Sequence, residues 1–285
     1  MTKISVVTRT KDRPLFLSRA ITDVSKQTYK DYEHIIVNDG GDKSEIESIV
    51  DGFEEEIRGK IKLFHRDKAS GAPDTILSES VDYGDSEYVA IHDDDDTWHP
   101  EMLHRVVELL DSGSDGVAVR TDNVYEKVKD GKIIKIKQDR FMPDLRSISL
   151  YDQCLDNQLT TVCFVYRRSA YEAAGKYDSS LPVVGDWEFG IRFLRSYDVD
   201  YLDPGFALAF YHRRADRTTS FAQYDHRTYL TKVLNKYLRA DLESGSIGIG
   251  YIMNDLRYEQ DMITKNIRKL LPASIVKLIR KKVRS

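Results

Sequence analysis

Four consecutive aspartates, Asp93 to Asp96, follow the strand-like run Glu87–Ile91 and precede Thr97-Trp98-His99-Pro100. Four adjacent like charges repel one another, so a fold that keeps them either supplies a cation or spreads them over a solvated turn. A strand that runs into acids and then a helix is where α/β sheets hold ligands, outside the carboxyl ends of the strands. Hard carboxylate oxygens there suit Mg²⁺ or Mn²⁺ shared with substrate phosphates. Other residues capable of metal chemistry offer less. His99 and His104 are five apart, without a partner at zinc spacing, and His92 reads as a strand-end residue. The only two cysteines, Cys154 and Cys163, have neither metal-type spacing nor a redox motif, which fits a reducing compartment.

The elements that must position the acids alternate between strand and helix through the first half of the chain. Ile4–Thr8 is a short apolar run, and Pro14 opens a helical pattern through Leu15, Leu17, Ile21 and Val24. Tyr32–Val37 reads as a strand ending at the turn Asn38-Asp39-Gly40-Gly41. Ser44-Glu45-Ile46-Glu47 has the form of a capping box. Ile61–Phe64 is a third strand, Ala72–Val81 a helix, Tyr88–Ile91 a fourth strand and Glu101–Leu110 a helix. This rhythm predicts a parallel sheet covered on both faces.

Beyond about residue 116 the alternation breaks. Gly116–Val119 and Lys132–Ile136 flank Asp130-Gly131 and read as a hairpin. Thr160–Tyr166 reads as a strand, Arg168–Ala174 as a short helix stopped by Gly175, Asp186–Leu194 as a helix, and Tyr201–Phe210 as one or two strands. From Asp225 the chain reads as helical, with a gap near Ser244–Gly250.

Length allows one large α/β domain or a domain with an appendage. No run of about 18 apolar residues predicts a spanning helix. The chain enters a strand directly from Met1, which leaves no room for a signal peptide. Charge is uneven. Residues 262–285 hold eight of the 43 Lys and Arg and none of the 47 Asp and Glu, leaving 35 basic against 47 acidic residues elsewhere. An acidic body makes nucleic acid an improbable partner, whereas the basic tail suits an anionic membrane surface or packs as a terminal helix.

Four segments in order resemble the inverting glycosyltransferases of family 2, which have a GT-A fold: ISVVTRTKDRP, DYEHIIVNDGGD, EYVAIHDDDDTWHPEML and VCFVYRRSAYEAAGKYDSSLPVVGDWEFGIRFL. The resemblance covers roughly residues 3–220. It implies an α/β fold with a mixed, mainly parallel sheet, helices on both faces and a C-terminal helical extension. The domain would span 1–222, with a nucleotide-binding half to about 115 and an acceptor-side half over 116–222, followed by the extension 223–285.

Carried onto this sequence, the resemblance implies that Thr8 and Arg9 line the nucleotide loop and that Asp39 accepts the imide N–H of the base. Thr8 reads equally well as a buried strand hydroxyl, and Asp39 as a turn-stabilising acid. Asp93 would contact the ribose or a metal-bound water, Asp94 lies between the two family acids, and Asp95 would ligate Mn²⁺ or Mg²⁺. Asp96 reads as the cap of the following helix. Asp186 would be the general base, or else a helix N-cap. Trp187 would stack on a sugar or pack in the core, and Glu188 would orient the acceptor or serve as an ordinary first-turn acid. His212 would reach the metal or diphosphate, with Arg217 a phosphate-facing alternative. Gly185 replaces a Glu that often precedes the base, and two further departures stand out: Pro73-Asp74 stands where an Arg-Asn pair is common, and the first loop reads Arg9-Thr10-Lys11-Asp12-Arg13 where Tyr-Asn is frequent.

The resemblance thus implies a cytoplasmic, metal-dependent enzyme, peripheral at the inner face of the membrane. It would move a sugar from a nucleoside-diphosphate sugar, UDP-linked by family frequency, to a saccharide or lipid-linked saccharide in bacterial surface polysaccharide synthesis. A sugar-nucleotide pyrophosphorylase shares the layered sheet but needs a Gly-rich loop after the first strand, and Thr8–Pro14 contains no Gly. A non-catalytic binding module on the same fold is the other alternative.

Overall fold

The computed structural model describes residues 2–214, 224–255, 257, 258 and 262. The chain falls into two compact units, Met1–Tyr224 and Asp225–Ser285. In the first, strands β1 (Ile4–Thr10), β2 (Tyr32–Asn38), β3 (Ile61–His65), β4 (Tyr88–Ile91), β6 (Gly116–Val119), β9 (Phe164–Arg167) and β10 (Val199–Leu202) form one sheet. Their order is β10-β6-β9-β4-β1-β2-β3, and every pairing is parallel except those of β9. All seven residues of β1 and of β2 are buried, as expected for central strands covered on both faces.

Alternation along β2 shows the two covers. Ile36 packs with Leu17 and Ile21 of α1 (Pro14–Ser25) and Ile46 of α2 (Lys43–Asp51), whereas Ile35 and Val37 belong to the larger core with Leu77 and Val81. Winding runs from β1 outward to β3 and then jumps to β4 on the other side of β1. The carboxyl ends of β1 and β4 therefore flank a topological switch point, where such sheets open a crevice. Arg9 and Thr10 end one strand, and the acidic run begins two residues after the other.

A second sheet, in the order β5-β11-β7-β8, is built from β5 (Thr97–Trp98), β7 (Thr121–Lys129), β8 (Lys132–Arg140) and β11 (Ala209–Arg214). The hairpin turn at Asp130-Gly131 therefore joins β7 to β8. The expected partner Gly116–Val119 is instead β6 of the main sheet, fully buried beside β9 and β10. Three further expectations are corrected. The cap of α2 is Asp42, whose carboxylate accepts Ser44 N–H and Glu45 N–H, so Ser44 lies inside the helix. The segment from Ala72 is a 3₁₀ turn, Pro73–Ile76, followed by the short helix α4 (Leu77–Asp82). The helix after the acidic run, α5, starts only at Met102 with Glu101 at its cap, because Thr97 and Trp98 are drawn into β5 against β11. Asp96 is consequently not a helix cap.

In the second unit, Asp225 caps the helix His226–Ser244, and Gly245 ends it at φ +66°. Residues 249–255 are helical again, so the expected gap is confined to 245–248. Gly250 lies so close to the backbone of Tyr237 and Leu238 that a Cβ would come within 2.4 Å. No helix among the described residues is long and apolar enough to cross a membrane. The basic residues of the tail, all beyond Met262, and Arg217 lie outside the described residues.

Asp23 on α1 ties this helix to the loop that carries the acids, accepting the Trp98 N–H at 2.7 Å and bonding His92 Nε2 at 3.0 Å. Asp23→Ala leaves both buried groups without an acceptor, and urea unfolding is expected to show a loss of about 2 kcal/mol.

Candidate active site

The acidic run is not a solvated turn. Asp94 and Asp96 are almost wholly buried, and each of the four side chains has a named partner. Arg9 grips Asp93 and, at 3.5 Å, Asp74. Asp93 also accepts the Thr161 hydroxyl at 2.9 Å. Thr10 Oγ1 donates to Asp94 at 2.8 Å, and Arg13 spans Asp94 and Asp95 at 3.0 and 2.6 Å. Arg214 bridges Asp95 and Glu126 at 2.5 and 3.0 Å. Arg19 reaches Glu126 at 2.8 Å and also the Asp95 carbonyl. Asp96 accepts the backbone N–H of His212 at 2.8 Å, which fastens β11 to the run.

Local sequence explains the convergence. Arg9 and Thr10 alternate across β1, so one reaches Asp93 and Asp74 while the other reaches Asp94. Arg13 and Arg19 flank and enter α1, whose Pro14 start turns the chain back over the strand end. Arg214 stands opposite Glu126 in the parallel β11–β7 register.

These contacts shift the acids in different directions. Burial pushes Asp94 up to about 7, against the pull of Arg13. Burial, with Asp95 and Asp93 alongside, drives Asp96 well above the usual carboxylate range. Burial would raise Asp95 too, but Arg13 and Arg214 outweigh it and hold it well below that range. For Glu126, burial is outweighed by His212 and Arg19, bringing it to about 2.

Asp186 lies in the first turn of α8 (Gly185–Leu194), whose cap is Val184 in the left-handed region at φ +61°. It is therefore a part-buried acid inside the helix and not its N-cap. Asn157 Nδ2 donates to its Oδ2 at 2.8 Å. Burial, followed by the nearby Asp74 carboxylate, pushes it up to about 7. The Gly185 N–H donates to Asp74 at 3.1 Å, so two of the departures from the family pattern meet in space.

Several expected site residues sit elsewhere or are already engaged. Thr8 is fully buried and bonds His34 Nε2 at 2.9 Å, so it is a strand-interior hydroxyl with no surface to offer a nucleoside. Trp187 is buried, with its indole N–H on the Gln153 carbonyl, and cannot present a face to a sugar. Glu188 is fully buried and pairs with Arg192 at 2.8 Å, while Arg192 also holds the carbonyls of Ala174 and Lys176. It cannot orient an acceptor from there. Asp39 faces the loop 66–71 and accepts Ser70 N–H at 2.9 Å, Ser70 Oγ at 2.6 Å and Arg66. Gly40 keeps that contact, because at φ +75° a Cβ would strike the Ala69 backbone at 2.4 Å. The sequence reading missed Arg13, Arg19, Arg214, Glu126, Asp74, Asn157 and Thr161 as parts of the site. The unusual density of Arg around the first strand was the available signal for the first two.

Asp95 and His212 are the residues here that could hold a divalent cation, and both are already engaged by neighbours. No hydrogen bond among the described residues reaches Asp95 Oδ1. His212 Nδ1 meets ionised Glu126 at 2.6 Å, which assigns the ring proton there and leaves the Nε2 lone pair facing Thr97 Oγ1 at 2.8 Å. A carboxylate behind a neutral imidazole is the usual support for a metal-binding His. Seven acids (Asp74, Asp93, Asp94, Asp95, Asp96, Glu126 and Asp186) meet four guanidiniums here, and burial raises Asp74, Asp94, Asp96 and Asp186, so the excess of carboxyl groups is partly carried as protonated acid. No three His, Cys, Asp or Glu side chains among the described residues form a closed metal cluster.

Set beside known proteins, residues 5–175 match the profile of Glycosyl transferase family 2, and the chain belongs to that family. A Bacillus subtilis protein described as "Uncharacterized glycosyltransferase YwdF" is 23% identical over 87% of this chain and 88% of its own length. A Campylobacter jejuni relative, named GalNAc(5)-diNAcBac-PP-undecaprenol beta-1,3-glucosyltransferase, is 31% identical over 40% of this chain and 36% of its own. Among solved structures, S. aureus TarS 1-349 with UDP-GlcNAc superposes with a TM-score of 0.63 at 18% identity, over 81% of this chain and 64% of that one. A Pyrobaculum calidifontis mannosyltransferase in complex with GDP-Man and Mn²⁺ gives 0.57 at 12%, over 84% and 64%. The chain thus spans about a third of the Campylobacter relative and under two thirds of these solved chains, and they establish a shared GT-A fold.

Arg214→Met would leave Asp95 with Arg13 alone and Glu126 with Arg19 and His212, in a buried setting. A loss of about 3 kcal/mol is expected in urea unfolding at pH 7. Glu126 gives a pH test. Its depressed folded-state value means that its stabilisation is fully present above the unfolded Glu value of about 4.3 and is lost as pH falls toward 2. The stability deficit of Glu126→Gln against wild type should therefore shrink between pH 5 and pH 2.5.

Proposed function

We propose that this chain is a metal-dependent inverting glycosyltransferase, moving a sugar from a nucleoside-diphosphate sugar to an acceptor hydroxyl with Asp186 as base. The observation that carries the reading is the position of Asp186, a part-buried carboxylate raised to about 7 in the same charge cluster as the acidic run at the sheet's switch point. In the reaction, the acceptor oxygen forms a bond to the anomeric carbon as the bond to the diphosphate oxygen breaks. The hydroxyl proton passes to Asp186, and the nucleoside diphosphate departs with the electron pair. No protein nucleophile is required, so configuration inverts.

Arg9 and Arg13, at the end of β1 and the start of α1, bring guanidinium groups to the diphosphate side, where planar N–H pairs suit phosphate oxygens. Asp93 and Asp94 lie on the nucleotide side of the run. Asp39 serves the base, using lone pairs left beside Ser70 and Arg66. Asp95 and His212 would hold Mn²⁺ or Mg²⁺, which would supply positive charge toward the diphosphate. Asn157 fixes the orientation of the base.

A UDP-sugar is the first donor to test, supported by the UDP and UDP-GlcNAc complexes of the TarS neighbour. The undecaprenol-linked substrate in the name of the Campylobacter relative supports a lipid-linked saccharide acceptor and a role in bacterial surface polysaccharide synthesis. Eight basic residues and no acid in 262–285 suit a peripheral contact with an anionic inner membrane face.

The test is nucleoside diphosphate release from UDP-, GDP- and dTDP-sugars with Mn²⁺. One donor class should be turned over, with activity lost in EDTA and reduced about a hundredfold or more in Asp186→Asn. With ionised Asp186 required, kcat/KM should rise with pH through about 7. Full activity of Asp186→Asn, or no nucleotide binding at all, contradicts the reading.

A further inference from the structure

Asp74, on the 3₁₀ turn Pro73–Ile76, is drawn into the site by a backbone group of the helix that carries the base. Gly185 N–H donates to its Oδ2 at 3.1 Å. A Cβ at residue 185 would lie 3.2 Å from Asp74 Cβ and 3.4 Å from Oδ2, so a side chain there would be tight against Asp74, which would have to give by a few tenths of an ångström. The absence of a side chain at Gly185 is what lets Asp74 settle one residue ahead of Asp186. On its far side Asp74 meets Arg9, at 3.5 Å, while the same guanidinium holds Asp93 more closely.

We propose that Asp74 is a positioning residue for the base: its carboxylate, docked on Gly185 and only loosely paired with Arg9, strengthens the hold of Asp186 on the acceptor proton. The inference rests on Asp186 being the base. The charged and titratable groups facing Asp186 are Asp74, Asp93, Arg9, Tyr177, Tyr211 and Cys163. Burial raises Tyr177, Tyr211 and Cys163, which are neutral at pH 7. The charge of Asp93 is largely met by its close contact with Arg9. Asp74 is the remaining carboxyl group beside the base; burial raises it too, against the pull of Arg9, and two carboxyl groups that share a site titrate as a pair. A base that holds its proton more firmly accepts one from a hydroxyl more readily, provided it is still ionised at working pH.

The test compares pH profiles of kcat/KM for wild type, Asp74→Asn, Asp74→Glu and Asp186→Asn, using the donor turned over in the screen. Asn keeps an oxygen for the Gly185 N–H and removes only the charge. In Asp74→Asn the acid limb should move down by about one pH unit, with Asp74→Glu restoring it toward wild type. An acid limb that stays in place in folded Asp74→Asn, with Asp186→Asn inactive, overturns the proposal and leaves the base intact. An active Asp186→Asn overturns the base reading, and this inference with it. A readout independent of turnover is the Asp carboxyl ¹³C spectrum, where the resonance absent in Asp186→Asn should titrate near neutral pH in wild type and lower in Asp74→Asn. An unchanged midpoint overturns the proposal. If Asp74→Asn does not fold, Asp74→Ser removes the same charge from a smaller side chain and is read the same way.

Discussion

Everything at the carboxyl edge of the main sheet depends on neutralising carboxylates that the chain has packed together. Two like charges 4 Å apart in partly buried surroundings repel by about 4 kcal/mol, and Asp93–Asp96 places four in succession. Arg9, Arg13 and Arg214 answer this by each bridging two acids, and Arg19 adds a fourth cation beside Glu126. The lattice crosses between elements far apart in sequence, so it also fixes α1, the acidic run and β11 in one arrangement. The guanidiniums keep Asp95 and Glu126 ionised, whereas burial favours the protonated form of Asp96. Arg9 and Arg214 are buried within this lattice, and Arg13 and Arg19 are partly exposed at its edge.

The second sheet is the less obvious consequence of the same constraint. β5 is only two residues long, yet it draws the chain after Asp96 against β11 and delivers His212 and Arg214 to the acids. Glu126 on β7 then serves three neighbours at once: Arg19, His212 and Arg214. Buried ionic networks of this kind add little net stability over an apolar core, but losing one member is costly. The lattice is accordingly read as a device for holding a charged site in place.

Much of the scaffold was legible in the sequence because its signals are local. The strand-like runs Ile4–Thr8 and Tyr32–Val37, Pro14 at the start of α1 and Gly175 after α7 (Arg168–Ala173) are fixed by neighbours a few residues away. The acidic run and Asp186 were legible through ordered motifs of the family. Pairings across long separations were not. Nothing local tells Gly116–Val119 that it belongs beside β9, or Arg214 that it stands opposite Glu126. Trp187 and Glu188 show the other limit: a first-turn Trp and Glu look alike from sequence whether they face a ligand or the core, and only the Gln153 carbonyl and Arg192 decide it. Asp74 looked like the loss of a basic residue, and its meaning emerges only beside Gly185 and Arg9.

The most direct test of the account is a crystal structure of the protein with UDP and Mn²⁺. The account predicts the diphosphate at the carboxyl ends of β1 and β4, with Mn²⁺ on Asp95 and Asp186 on the open side. It also predicts that at least one of the Arg13 and Arg214 contacts to Asp95 is exchanged for phosphate or metal. Nucleotide bound elsewhere, or an acid–arginine lattice unaltered with neither metal nor diphosphate against it, would contradict the claim that this lattice is the donor site.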